Sequence, residues 1–159
     1  MRNTVHLEID GMGIAFFSAK TMEYVAPGTD FFSNEFDAPK QVAEHIKKGD
    51  ITAFCTGSGG SFDLHFFTGY PTPDILEHFP VAIRLGLDVR GGAVQFCDLF
   101  WLMKWTTDFP KDQVISLEDG FYEISVCTRM PESGYWGDNQ TIYIYFAKVD
   151  KMPELTWTG

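Results

Sequence analysis

The side chains that could do chemistry are four histidines (His6, His45, His65, His78), three cysteines (Cys55, Cys97, Cys127) and an adjacent carboxylate pair, Glu118 and Asp119. Metal sites favour HxH on strands and HxxxH or HExxH on helices, spacings that put two imidazoles on one face. None of these occurs. His45 follows Glu44 in a short helical pattern and reads as a solvated side chain. His65 lies in "FDLHFF", where Phe62, Leu64 and Phe66 share one strand face and Asp63 and His65 the other. A surface cross-strand pair is its first reading and a general base its second. "GSGG" lacks the following Lys-Ser/Thr of a phosphate cradle and leads into a strand pattern instead of a helix, so it reads as a flexible hairpin turn. No GxSxG elbow is present. Neighbouring strand positions point to opposite faces, so Glu118 and Asp119 read as a turn. No catalytic residue, metal or cofactor is expected.

A binding surface is better supplied. In "MPESGYWGDNQTIYIYF" two large aromatics, Tyr135 and Trp136, stand between glycines where an exposed turn belongs. Tyr and Trp carry much of the energy at interface hot spots. The candidate partner-binding residues are therefore Glu132, Tyr135, Trp136 and Asp138, with Asp108, Asp112, Glu118 and Asp119 on loops expected to lie near them. The competing reading folds Trp136 back as a cap on the sheet edge.

Charge narrows the partner. The 159-residue chain carries a net −10, which repels nucleic acid and anionic membranes and attracts a basic protein. Residues 1–38 hold six acids and two bases, and residues 107–138 seven and two, so a fold that joined the two segments would present one negative face. Such an excess also serves to keep a bacterial-type cytosolic protein soluble. The N-terminus enters strand-like sequence with no export signal, and no apolar run reaches the length of a membrane span, so a cytoplasmic protein is expected. Three widely spaced cysteines with no CxxC indicate buried free thiols.

These residues need elements to hold them. The alternation of Val5, Leu7 and Ile9, then "DGMG" and Ile14–Phe17, predicts a hairpin over residues 4–18. Residues 18–38 read as a long loop that must pack its aromatics somewhere. "APKQVAEHIKKGD" is the best helix, with Pro39 in its first turn and Gly49 as its stop. "TPDILEHFP" allows one or two further helical turns, and "DLFWLMKW" fits a short helix or a core strand equally. Short strand patterns about ten residues apart fill the rest. The expectation is one domain over residues 1–159, mainly β or α+β: an antiparallel β-sandwich with one or two short helices.

From Ile51 onward the order of strands resembles the competence-type DNA-entry nuclease inhibitor family, and more broadly bacterial immunity proteins. The matching residues are Leu117, Gly120 and Tyr122 in an L-x-x-G-x-Y turn-strand, then Thr128 at a strand end, within residues 51–150. The longer N-terminal region and the insertion "DLFWLMKWTTDFP" depart from that pattern. The resemblance implies an acidic, cytosolic protein-binding module that neutralises a nuclease or toxin. Two other functions stay open on the residues alone: a small-ligand module stacking a carbohydrate on Tyr135 and Trp136, or a hydrolase using His65.

Overall fold

The computed structural model describes residues 2–155. Nine strands form two sheets: β1 (Arg2–Ile9), β2 (Gly13–Phe17), β3 (Ile51–Cys55), β4 (Gly60–Thr68), β5 (Val81–Val89), β6 (Ala93–Asp98), β7 (Val114–Ser116), β8 (Gly120–Thr128) and β9 (Gln140–Val149). Their order is β1-β4-β9-β8-β5 in one sheet and β3-β2-β6-β7 in the other. All pairs are antiparallel except β4 with β9. Three short helices accompany them: α1 (Phe31–Glu35), α2 (Pro39–Lys48) and α3 (Pro73–His78). The fold is thus mainly β, with one helix more than the sequence reading allowed. Residues Leu99–Met103, the ambiguous "LFWLM", form a 3-10 helix.

The strands were legible, but their partners were not. β1 and β2 do not form a hairpin, for they belong to different sheets. The same is true of β3 and β4, read as partners across "GSGG", and of β5–β6 and β7–β8. Each of these four short connections carries the chain from one sheet to the other. At the first, the buried Asp98 carboxylate accepts hydrogen bonds from Asp10 N at 2.8 Å, Gly11 N at 3.1 Å and Phe100 N at 3.1 Å. A side chain 87 residues away from Gly11 therefore bends the arch.

Between the sheets lies a core that includes Phe16, Phe54 and Phe96 from one side and Phe62, Phe66, Ile144 and Phe146 from the other. Phe16 packs against the rings of Phe54, Phe66, Phe96 and Phe146 at 5.9–6.4 Å. A second core covers the outer face of the four-stranded sheet, where Ala15, Phe17, Ile51 and Cys97 meet Met22, Val25, Phe31, Phe36, Leu102 and Trp105. This layer is where the aromatics of residues 18–38 pack. It also explains why "GIAFF" of β2 shows no alternation: every residue of that strand is buried. Among the described residues no helix is long and apolar enough to cross a membrane.

Candidate partner-binding site

The segment 129–139 joins β8 to β9 and is built from tight turns, with Gly134 N donating to Pro131 O at 2.9 Å and Asp138 N to Tyr135 O at 3.3 Å. Gly134 (φ 80°), Gly137 (φ 82°) and Asn139 (φ 48°) supply the left-handed positions. The loop docks by its backbone onto the β3–β4 arch. Ser61 N donates to Gly137 O at 2.7 Å, and Ser58 Oγ donates to Trp136 O at 2.8 Å. A Cβ on Gly137 would stand 2.5 Å from Gly59 O, and one on Gly60 would overlap Gly137 O. The glycines of "GSGG" therefore serve backbone approach. Beneath the loop, the buried Gln140 accepts from Gly137 N at 2.9 Å and donates to Thr128 Oγ1 at 2.8 Å.

So anchored, the loop presents its aromatics unequally. Tyr135 is 75% exposed, whereas Trp136 is 38% exposed. Trp136 leans toward Gly57 and forms one wall of a cleft of about 260 Å³ whose floor includes Phe54, Val126 and Ile142. It is at once part cap and part surface. Glu132 and Asp138 flank a shallow polar depression on the other side of the loop, with Arg129, Ser133 and Asn139.

The structure does not bring the remaining four acids to this place. Glu118 and Asp119 precede β8, whereas the aromatic loop follows it, and nine residues of strand separate the two ends by about 30 Å. Both have local duties: Glu118 pairs with Lys148 at 2.9 Å, and Asp119 accepts from Gly92 N at 2.7 Å, tying two arches together. Asp108 and Asp112 are exposed on the approach to β7, an edge strand three places from β3 and so about 14 Å across the sheet from the Trp136 side. The acids of residues 107–138 are divided between the two ends of the sandwich and do not form one face.

Other polar groups correct the sequence reading. His45 is not a solvated side chain: it is 13% exposed, packs against Phe31 and Phe36, and its Nδ1 lies 2.9 Å from Asp50 Oδ1. Asp50 also accepts from Tyr24 OH at 2.9 Å and from Ile51 N at 2.9 Å. Burial alone would raise the Asp50 pKa, but the hydrogen bonds from His45 and Tyr24 outweigh it and hold the carboxyl below its ordinary value. The signal lay in the chain, a histidine in the last helical turn with an aspartate just past the Gly49 stop. His65 is the surface pair expected, 3.2 Å from Thr4 Oγ1 and with its ring tilted at 39° beside Tyr143. The neighbouring His6 has its pKa raised, mainly by its bond to Asp63 at 2.8 Å.

Of the three thiols, Cys97 and Cys127 are buried and held protonated by burial, but Cys55 is exposed at the end of edge strand β3. Its side chain alternates outward just as the two sheets part. Asp74, Glu77 and His78 on α3 place their ligand atoms within 4.8 Å of one another, a grouping the spacing rules did not flag. All three are exposed, where carboxylates commonly gather without a metal.

Comparison with solved structures gives two that share this fold. One, described as "Crocagin biosynthetic gene J", aligns with a TM-score of 0.56 at 14% identity over 91% of this chain and 96% of its own. The other is ComJ from Bacillus subtilis, described as an inhibitor of the DNA degrading activity of NucA, with a TM-score of 0.50 at 13% identity over 92% of this chain and 96% of its own. No family model matches the sequence, and no curated protein does. At these identities the likeness is one of fold, and the fold this chain shares is that of a nuclease inhibitor, the family its strands from Ile51 onward resemble.

Proposed function

We propose that this chain is a protein-binding inhibitor whose partner is a nuclease, and that it acts in the cytoplasm on a basic surface. The observation that carries the reading is the aromatic loop: Tyr135 and Trp136 are partly exposed yet held by backbone docking to the adjacent arch. Fixing the backbone that carries such side chains before binding reduces the entropy lost on association. The fold shared with ComJ supports a nuclease as the partner class. The chain's net −10 supports the basic character, because an acidic domain is steered onto a positive, nucleic-acid-binding surface and mimics the charge of its substrate.

Within this reading Tyr135 and Trp136 are the anchors, and Glu132 and Asp138 beside them set orientation and on-rate. Asp108, Asp112, Glu118 and Asp119 contribute only through the long-range field, since they stand apart from the loop. The test is to immobilise the chain, capture proteins from its native lysate and assay each for DNA degradation with and without the free chain. A captured nuclease whose activity falls as the chain is added supports the proposal. Capture of proteins none of which degrades DNA would refute it.

A further inference from the structure

The cleft beside Trp136 is a break in the sandwich. β3 and β5 are the edge strands of their sheets, and their ends part where Cys55 and Val81 stand. Core residues Phe54, Val126 and Ile142 are thereby reached from the surface, with Val81 (42% exposed), Ile83 and Trp136 at the mouth. On the other side of Phe54 and Cys55 lies a second apolar cleft of about 240 Å³, bordered by Met12 (62% exposed), Phe32, Leu99 and Phe100 (46% exposed). Phe100, Met12, Cys55, Trp136 and Val81 therefore make a continuous apolar band over this end of the molecule. Bands of this kind on an otherwise polar surface mark interaction sites.

Resting on the inhibitor reading above, we infer that the cleft between β3 and β5 receives a single apolar side chain, leucine- or phenylalanine-sized, borne on a basic segment of the partner protein. Size and charge select this occupant. At about 260 Å³ the cleft falls below the roughly 300–1,000 Å³ of pockets that hold whole small ligands, but it admits one side chain. The turns of this end carry Asp10, Glu132 and Asp138, with the buried Asp98 behind them and Asp37 beside the second cleft, and the cation Arg129 stands among them. The Arg129 guanidinium is drawn off over the Phe79 ring, 4.7 Å away. A lysine or arginine flanking the inserted residue meets a negative rim, and burial of the apolar tip among desolvated groups makes it an anchor.

Cys55 provides an internal reporter, since Cys97 and Cys127 are buried. The probe is the acetylated, amidated hexapeptide Lys-Lys-Leu-Phe-Lys-Lys, with Ser-Ser replacing Leu-Phe or glutamate replacing lysine as controls, and the readout is the rate of Cys55 alkylation. At about ten times its dissociation constant the basic apolar peptide slows alkylation about tenfold by mass action. Neither control does so, and Val81→Lys, at an exposed position, abolishes the protection. An unchanged rate, equal protection by the glutamate peptide, or protection that depends only on the chain's own concentration would each overturn the inference, the last by seating a second copy there. Alkylation of Cys55 in a nuclease complex separates the two proposals. If a nuclease is inhibited while Cys55 stays fully reactive, the cleft assignment falls and the inhibitor reading stands. If the peptide protects Cys55 but no nuclease is inhibited, the reverse holds.

Discussion

Replacing Gly137 with alanine strikes the joint between the aromatic loop and the rest of the sandwich. Two costs arise. At φ 82° a Cβ costs about 1–2 kcal/mol in backbone conformation. The same Cβ would also stand 2.5 Å from Gly59 O and 2.9 Å from Ser58 Oγ, so the loop must withdraw by about 1 Å to reach ordinary contact. That withdrawal breaks Ser61 N to Gly137 O (2.7 Å), Ser58 Oγ to Trp136 O (2.8 Å) and Gly137 N to Gln140 Oε1 (2.9 Å), each worth about 1 kcal/mol. The total is about 4–5 kcal/mol, a large share of the 5–15 kcal/mol that stabilises a typical domain. The control is Gly134→Ala: its φ is 80°, but nothing lies within 4 Å of the added methyl, so only the conformational cost of about 1–2 kcal/mol applies. Urea unfolding of both variants measures the difference, and amide exchange at Ser61 reports whether the loop has lifted. If Gly137→Ala costs no more than Gly134→Ala, or leaves Ser61 protected, the backbone docking does not hold the loop.

Two further outcomes follow from the polar clusters. Asp98→Ala removes the acceptor for Asp10, Gly11 and Phe100 N–H groups and lowers stability by about 2–4 kcal/mol, with Asp98→Asn recovering part of it. A thermal melt showing less than about 1 kcal/mol lost would mean the β1–β2 arch needs no such anchor. The second concerns acid. Because the folded-state pKa of Asp50 is depressed, its contribution to stability is present above the unfolded value of about 3.9 and disappears as pH falls through the lower folded value. Stability followed from pH 6 to pH 2 falls less steeply below about pH 4 in Asp50→Asn than in the parent chain. Parallel acid limbs for the two would contradict this.

What the sequence disclosed was mostly local. Strand alternation in "SFDLHFF", the Pro39-to-Gly49 helix and the short helix in "TPDILEHFP" depend on neighbours in the chain, and each is found where it was expected. The four sheet-crossing arches were hidden because a connection of three or four residues looks the same whether the next strand pairs with the last or faces it. Here the choice rests on distant partners, Asp98 for residues 10–11 and Gly137 for residues 59–61. The Tyr135–Trp136 loop stood out as two aromatics among glycines. Its neighbouring cleft did not, since β3, β5, β8 and β9 all contribute to it and no stretch of sequence contains it. His45 was misread because helical position alone suggests solvent, and its burial comes from Phe31 and Phe36 of α1 and its cap, a helix in the segment read as a loop.

In the proposed function, the Trp136 end of this acidic sandwich binds and inhibits a nuclease. The most direct measurement is inhibition of a captured nuclease by the parent chain and by the double variant Trp136→Ala, Asp138→Ala, titrated at about 50 and 300 mM salt, which spans strong and weak charge screening. The expected result is inhibition by the parent chain that weakens with salt, and an affinity loss of tenfold or more in a double variant that still folds, about 1.4 kcal/mol. Equal inhibition by both proteins with the same salt dependence would place the binding surface elsewhere.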